Sequence, residues 1–272
     1  MLKKLVVLTA YDYQTAGVLE ACGVDYILVG DSLGMVVLGY DSTTPVTMEE
    51  MIHHAKAVRR GAPKSHVIGD LPLKGIEKGP AQALISSRRF LKEAGCDSVK
   101  IEWGRHAIAS TKLLVSKKIP VVGHVGLTPQ TAAKSGGFKT RGRDAVAALN
   151  IFKQALEFEC AGAFLVILES VPAELGKRIT QTLRIPTVGI GAGPDCSGQV
   201  LVLNDVVGLF TNFKPKFVKR YAELDTEMKK AVGRYAADVR AGRFPAKEQV
   251  SRMESTELVK LGQLLKLATI KG

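Results

Sequence analysis

One pattern returns three times along this chain: a helical stretch, a glycine, an apolar run and a terminal carboxylate. Leu19-Glu-Ala-Cys-Gly23 leads into Asp25-Tyr-Ile-Leu-Val-Gly-Asp31, Leu91-Lys-Glu-Ala-Gly95 into Asp97-Ser-Val-Lys-Ile-Glu102, and Phe158-Glu-Cys-Ala-Gly162 into Ala163-Phe-Leu-Val-Ile-Leu-Glu169. Glycine suits the left-handed residue that ends a helix, and strands apolar along their whole length belong to parallel sheets buried on both faces. Such repetition predicts stacked βα units rather than two unlike domains. Apolar runs of strand length number eight, near Leu5–Thr9, Tyr26–Val29, His66–Gly69, Ser98–Ile101, Val121–Gly123, Phe164–Leu168, Thr187–Ile190 and Val206–Leu209. Helical stretches lie between most of them, at Thr47–Arg59, Pro80–Ala94, Arg105–Lys117, Arg143–Cys160 and Pro172–Leu183, and Thr47 with Glu50 has capping-box spacing. Eight alternations within 272 residues predict a (β/α)8 TIM barrel. An open doubly wound sheet is the alternative if a short run is miscounted.

Beyond the eighth run the chain turns helical and charged. Tyr221–Ala241 and Lys247–Lys266 are expected as two further helices. The second carries a Leu258, Leu261, Leu265 stripe, interrupted by Gly262, suited to packing on the barrel or on a neighbouring subunit. The chain thus reads as a single barrel domain, residues 1–272, with a C-terminal helical extension from about 214 to 272.

Composition excludes several classes. With 46% hydrophobic and 24% charged residues, and glycine and proline spread along its length, the chain is neither disordered nor collagen-like. No apolar run approaches the ~18–20 residues that cross a bilayer. The apolar start, Leu5–Ala10, is cut short by Asp12, and so reads as a first strand rather than a signal peptide. Cys22, Cys96, Cys160 and Cys196 show no CxxC spacing. They are expected as small buried side chains at helix ends, in a protein of the reducing cytoplasm. The formal charge of +12 suits a lysine-rich surface, small anionic substrates or nucleic acid. Its basic residues, densest in Lys214–Arg220 and the C-terminal third, lack the aromatic interleaving of a single-strand binder, so neither a nucleic-acid nor a membrane partner is expected.

In a parallel barrel, side chains at the carboxyl ends of the strands face the active site. Four runs end in an acid: Asp31, Asp70, Glu102 and Glu169. Singly, each reads equally as a helix cap or half of an ion pair. Together they crowd carboxylates around one mouth, where a cation or protonation has to relieve the repulsion. An oxygen-rich set suits Mg²⁺ better than zinc. Strand alternation puts Lys100 and Glu102 on one face and Ile101 on the other. Lys100 then reads as an anion-holding group or half of a buried salt bridge; a Schiff-base role is disfavoured by the neighbouring carboxylate. His124, just past the fifth run, is a candidate substrate contact or a structural histidine, and the other histidines show no metal-ligand spacing with it. Gly189-Ile-Gly-Ala-Gly193 is either a phosphate grip or a tight turn and does not match GxGxxG. Thr128–Gly142, with Lys134, Gly136, Gly137, Lys139 and Arg141, reads as a basic lid over an anionic ligand or as a plain surface loop.

These segments coincide with a known set. Val29-Gly-Asp-Ser-Leu-Gly-Met35, Ala57-Val-Arg-Arg-Gly-Ala-Pro63, Gly69-Asp-Leu-Pro72, Val99-Lys-Ile-Glu102, Gly123-His-Val-Gly-Leu-Thr-Pro-Gln130, Leu168-Glu-Ser-Val-Pro172 and Gly189–Gly193, with Thr9-Ala-Tyr-Asp12, resemble the ketopantoate hydroxymethyltransferase family collinearly from about Thr9 to Lys219. The resemblance implies a (β/α)8 enzyme that moves a hydroxymethyl group from 5,10-methylenetetrahydrofolate to 3-methyl-2-oxobutanoate, giving 2-dehydropantoate through a Mg²⁺-stabilised enolate. It implies Asp31, Asp70 and Glu102 as Mg²⁺ ligands and Asp31, Ser32, Asp70, Lys100 and His124 as keto-acid contacts. Glu169 is the implied general base, and the implied assembly is a homodecamer. The chain departs from the family pattern in three places: little precedes Leu5, Trp103 replaces a small residue, and the stretch after Val250 is long. Trp103 is expected to narrow the mouth or line the folate pocket. A competing reading is a Mg²⁺-dependent relative of isocitrate lyase or phosphoenolpyruvate mutase, but the cysteine-bearing KKCGH type of lid motif is missing from this sequence.

Overall fold

A computed structural model describes residues 3–132 and 139–269. Eight parallel strands close into a barrel in sequence order: β1 (Leu5–Thr9), β2 (Tyr26–Val29), β3 (His66–Asp70), β4 (Ser98–Glu102), β5 (Val121–Gly126), β6 (Leu165–Glu169), β7 (Thr187–Ile190) and β8 (Gly198–Leu201). Long helices at Tyr13–Ala21, Met48–Gly61, Pro80–Glu93, Ala107–Ser116, Ala145–Cys160 and Ala173–Thr182 return the chain between successive strands. The (β/α)8 expectation is met, and the open sheet is excluded by pairing of β1 with β8.

The local signals behave as their chemistry requires. Thr47 and Glu50 close a reciprocal capping box on Met48–Gly61. The glycines of the threefold pattern, Gly23, Gly95 and Gly162, all take positive φ at the turns that feed β2, β4 and β6. Alternation then sorts the strands. Val7, Leu28, Ile68, Val122, Leu165, Ile167, Val188 and Val200 fill the barrel interior. Val67, Val99, Ile101, Val121, Val125, Val166 and Leu168 face the helices, where Phe90 and Phe158 are fully buried. Each buried side chain of this size contributes roughly 1.5–3 kcal/mol.

Two expectations are corrected. The eighth strand is Gly198–Leu201, not Val206–Leu209, and Val206 ends a short helix, Leu203–Val206. Apolar content misleads here because β8 alternates Val200 inward with an exposed Gln199. What selects it is closure: a Cβ on Gly198 would lie 2.5 Å from Leu5 O and 2.6 Å from Leu5 Cβ, so only glycine lets β1 approach in this register. Secondly, Cys96 and Cys196 are buried, but Cys22 and Cys160 are exposed at helix ends whose outer face meets solvent.

The chain divides into two compact units, Met1–Ala222, which contains the barrel, and Glu223–Gly272. The second holds helices Leu224–Arg240 and Ser255–Thr269 and a 3₁₀ turn at Lys247–Gln249. No helix among the described residues is long and apolar enough to cross a membrane.

Candidate active site

The strand ends deliver their side chains to one cavity of about 280 Å³ at the carboxyl mouth of the barrel. Register does most of the positioning. Asp70 on β3 is level with Lys100 on β4, Glu102 with His124 on β5, and Gly126 with Glu169 on β6. Lys100 Nζ accordingly stands 2.9 Å from Asp70 Oδ1. His124 bridges two acids, with Nδ1 3.4 Å from Glu102 Oε2 and Nε2 3.2 Å from Glu169 Oε2. As alternation predicts, Ile101 turns outward to the helix layer. A Cβ on Gly126 would fall 2.2 Å from Glu169 O, so glycine there permits β5 to pass this close to the Glu169 backbone. Immediately after Glu169, Ser170 adopts φ 48°, a left-handed conformation costly for a non-glycine residue, and its N–H donates to Ile190 O at 2.8 Å.

Asp31 follows β2 and is held from two sides. Its N–H donates to Asp70 Oδ2 at 3.0 Å, and Gln130 Nε2 donates to its Oδ2 at 2.9 Å. Gln130 also donates from Nε2 to Leu71 O and from its backbone N–H to Glu102 Oε1. Ser32 Oγ hydrogen-bonds Tyr11 Oη at 2.8 Å and faces the cavity. The site thus unites Asp31, Ser32, Asp70, Lys100, Glu102, His124 and Glu169, and adds Gln130 and Tyr11, which sequence reasoning did not single out. Trp103 is a further correction. One position beyond inward-facing Glu102, alternation turns it outward, where it packs edge-on against Phe158 rather than lining the cavity. In the Gly189–Gly193 turn, Gly191 has φ 66° and lies against Phe217, so packing accounts for that glycine. Within Thr128–Gly142, residues 133–138, including Lys134, Gly136 and Gly137, lie outside the described residues; Thr140 lines the cavity.

Charge is concentrated where solvent is scarce: Asp31, Asp70, Lys100, Glu102 and His124 are all 7% exposed or less. Burial, followed by repulsion from Asp70, drives the Asp31 carboxyl well above its ordinary range. Burial also raises Glu102, partly offset by His124 and Lys100. Burial and Lys100 push His124 toward neutrality, but its contacts with Glu102 and Glu169 outweigh them and lift its pKa to about 9. Lys100 is raised despite burial, because Asp70, Asp31 and Glu102 surround it. Asp70 Oδ1 and Glu102 Oε2 have no geometrically sound hydrogen bond.

Two carboxylate oxygens without a hydrogen bond and an all-oxygen set of acids match the donor chemistry of a hard divalent cation. In the positions set here by Lys100 and Gln130, no three His, Cys, Asp or Glu side chains among the described residues converge closely enough to share an ion. Asp31, Asp70 and Glu102 are instead linked through intervening donors, Gln130 donating to both Asp31 and Glu102.

The His124 shift has a stability consequence in metal-free protein. A folded pKa of about 9, above the ordinary 6.5, gives stability fully present below pH 6.5 and lost as pH rises through 9. Thermal unfolding across that window should show the wild type losing more stability than His124→Gln; parallel curves would contradict the assignment.

Comparison with known proteins decides the family. The model of the ketopantoate hydroxymethyltransferase family matches residues 1–247. The chain belongs to this family. It is a transferase, 55% identical over 246 residues to a 3-methyl-2-oxobutanoate hydroxymethyltransferase from Thermus thermophilus, covering 90% of this chain and 94% of that one. A Desulfotalea psychrophila protein of the same name is 51% identical, covering 90% and 88%. Among solved structures, phosphoenolpyruvate phosphomutase from Streptomyces platensis subsp. rosaceus superposes with TM-score 0.58 at 15% identity, covering all of this chain and 93% of that one. A phosphonopyruvate hydrolase complex with oxalate and Mg²⁺ gives 0.59 at 11% identity, covering 99% and 93%. Both likenesses concern the barrel fold.

Proposed function

We propose that this enzyme transfers a hydroxymethyl group from 5,10-methylenetetrahydrofolate to 3-methyl-2-oxobutanoate, forming 2-dehydropantoate for pantothenate synthesis. The observation that carries the reading is Glu169, which lines one cavity with Asp31, Asp70 and Lys100 and is linked through His124 to the buried Glu102.

Asp31, Asp70 and Glu102 would hold Mg²⁺, which supplies Lewis-acid stabilisation of the enolate when bound. Lys100 and Ser32 receive the keto-acid carboxylate and carbonyl, Lys100 offsetting the substrate's charge in a site where few waters can do so. Glu169 accepts the C3 proton, and His124 Nε2, 3.2 Å from Glu169 Oε2, orients that carboxylate. The C3–H electron pair becomes the nucleophile that forms the new C–C bond to the folate one-carbon unit. The two C–N bonds to that unit break, one water supplies the hydroxyl, and its released proton together with the one taken from C3 passes to the two folate nitrogens as tetrahydrofolate leaves. Lys139 and Arg141 flank the cavity-lining Thr140 and are suited to the folate's glutamate tail.

A homo-oligomer, a decamer by family resemblance, is supported by exposed apolar side chains at helical spacing, Met228, Val232, Tyr235 and Val239. A cytoplasmic location belongs to the same reading. The overall proposal is tested by product formation from the two substrates. EDTA should abolish it and Mg²⁺ restore it; full turnover in EDTA would overturn the metal role, and no product with any divalent ion would overturn the reaction.

A further inference from the structure

The cavity has two chemically different halves. The acids and Lys100 occupy the arc from β2 to β6. The opposite arc is apolar, formed by Ile190 on β7, Val200 on β8, and Phe210, Phe213 and Phe217 from the segment after β8. Three of the chain's nine phenylalanines gather here, and Phe213 and Phe217 remain 55% and 36% exposed. Aromatic faces left accessible beside a cavity offer stacking surface to a planar ring.

Two charged residues interrupt this half, an exposed Lys216 and a buried Asp205. Asp205, in the short helix Leu203–Val206, lines the cavity and is only 9% exposed. Its backbone is used, the N–H donating to Val202 O and the carbonyl accepting from Gly208 N. Its carboxylate caps no helix end and meets no hydrogen-bond donor among the described residues. The titratable neighbours it senses are the Arg220 cation and the neutral Tyr11 phenol, the latter already engaged with Ser32. A carboxylate that opens on the cavity without a protein donor is left to solvent or to a ligand's N–H groups.

We infer that Asp205 is the anchor for the pterin ring of the one-carbon donor, pairing with the adjacent N3–H and 2-amino groups while the ring lies against Phe210, Phe213 and Phe217. This deepens the proposed function and rests on methylenetetrahydrofolate being the donor. Two parallel N–H groups meeting two carboxylate oxygens form a charge-assisted pair that is both strong and directional. Burial lifts Asp205 to about 6, with Arg220 opposing, so it remains largely ionised at neutral pH and ready to accept both bonds. Asp205 thereby separates the two substrates: the keto acid is held by cationic and hydroxyl donors on one arc, the heterocycle by an acceptor on the other.

Asp205→Asn is nearly isosteric and removes no hydrogen bond within the protein, so steady-state kinetics read its effect directly. The KM for methylenetetrahydrofolate should rise roughly 10- to 100-fold, the worth of a charged hydrogen-bonded pair. That for 3-methyl-2-oxobutanoate should move by less than about threefold. In parallel, 6-methyltetrahydropterin, which carries the ring but no glutamate tail, should compete with the folate in wild type and fail to do so in Asp205→Asn and Asp205→Ser. An unchanged folate KM, retained tetrahydropterin competition in both variants, or an equal loss for both substrates would overturn the assignment. Absence of folate-dependent transfer by wild type would instead overturn the proposed donor.

Discussion

Glu169→Gln is expected to lower deuterium exchange at C3 of 3-methyl-2-oxobutanoate by about 10²–10⁴-fold, measured by proton NMR with Mg²⁺ and without folate. Exchange isolates the proton-transfer step from donor chemistry. The amide retains the size of the carboxyl and still meets the His124 ring but has no basic oxygen, so keto-acid affinity should change little. Glu169 is suited to this role by position rather than by type. It is the acid at the cavity end of the His124 bridge, whereas Asp31, Asp70 and Glu102 are held by Gln130, Lys100 and one another. Exchange persisting in Glu169→Gln at the wild-type rate would assign the base elsewhere.

Lys100→Met carries the second large effect. In EDTA the variant should lose about 3–5 kcal/mol of stability, because removing one partner of a buried pair leaves the other charge uncompensated. Here the uncompensated charge includes Asp70 at 2.9 Å and, near it, Asp31 and Glu102, all of which raise Lys100 above its ordinary pKa. Methionine preserves most of the stem volume, so loss of charge rather than a cavity is measured. Mg²⁺ should recover part of the loss by supplying positive charge to the same acids. Denaturant unfolding with and without Mg²⁺ checks both effects. A wild-type midpoint in EDTA would show that Lys100 is not required for charge balance.

Much of the site was readable before any coordinates. A strand residue's facing depends on its parity, so Lys100 and Glu102 had to share a side once Ser98–Ile101 was recognised as a strand. Acids at the ends of parallel strands must gather at one rim when those strands close. The failures have equally local causes. Trp103 looked like a mouth residue because it adjoins Glu102, but the same parity rule sends it to Phe158. β8 was misplaced because a short run containing a glycine and an exposed glutamine has little apolar signal, while Val206–Leu209 has more. Asp205 carried no signal at all: a lone acid in a loop-like stretch reads as solvated, and only folding brings it to the cavity that Phe210 and Phe217 also line.

Periodicity, turn glycines and strand-end acids, all short-range features, were enough to determine the repeated βα unit, the barrel and the identity of its polar rim. Which of those acids contact lysine, histidine or glutamine was decided by inter-strand register and by the approach of Gln130, across separations of up to 99 residues. Contacts of that kind depend on closure of the whole ring, where a residue's partners are chosen by neighbouring strands and not by its own sequence neighbours.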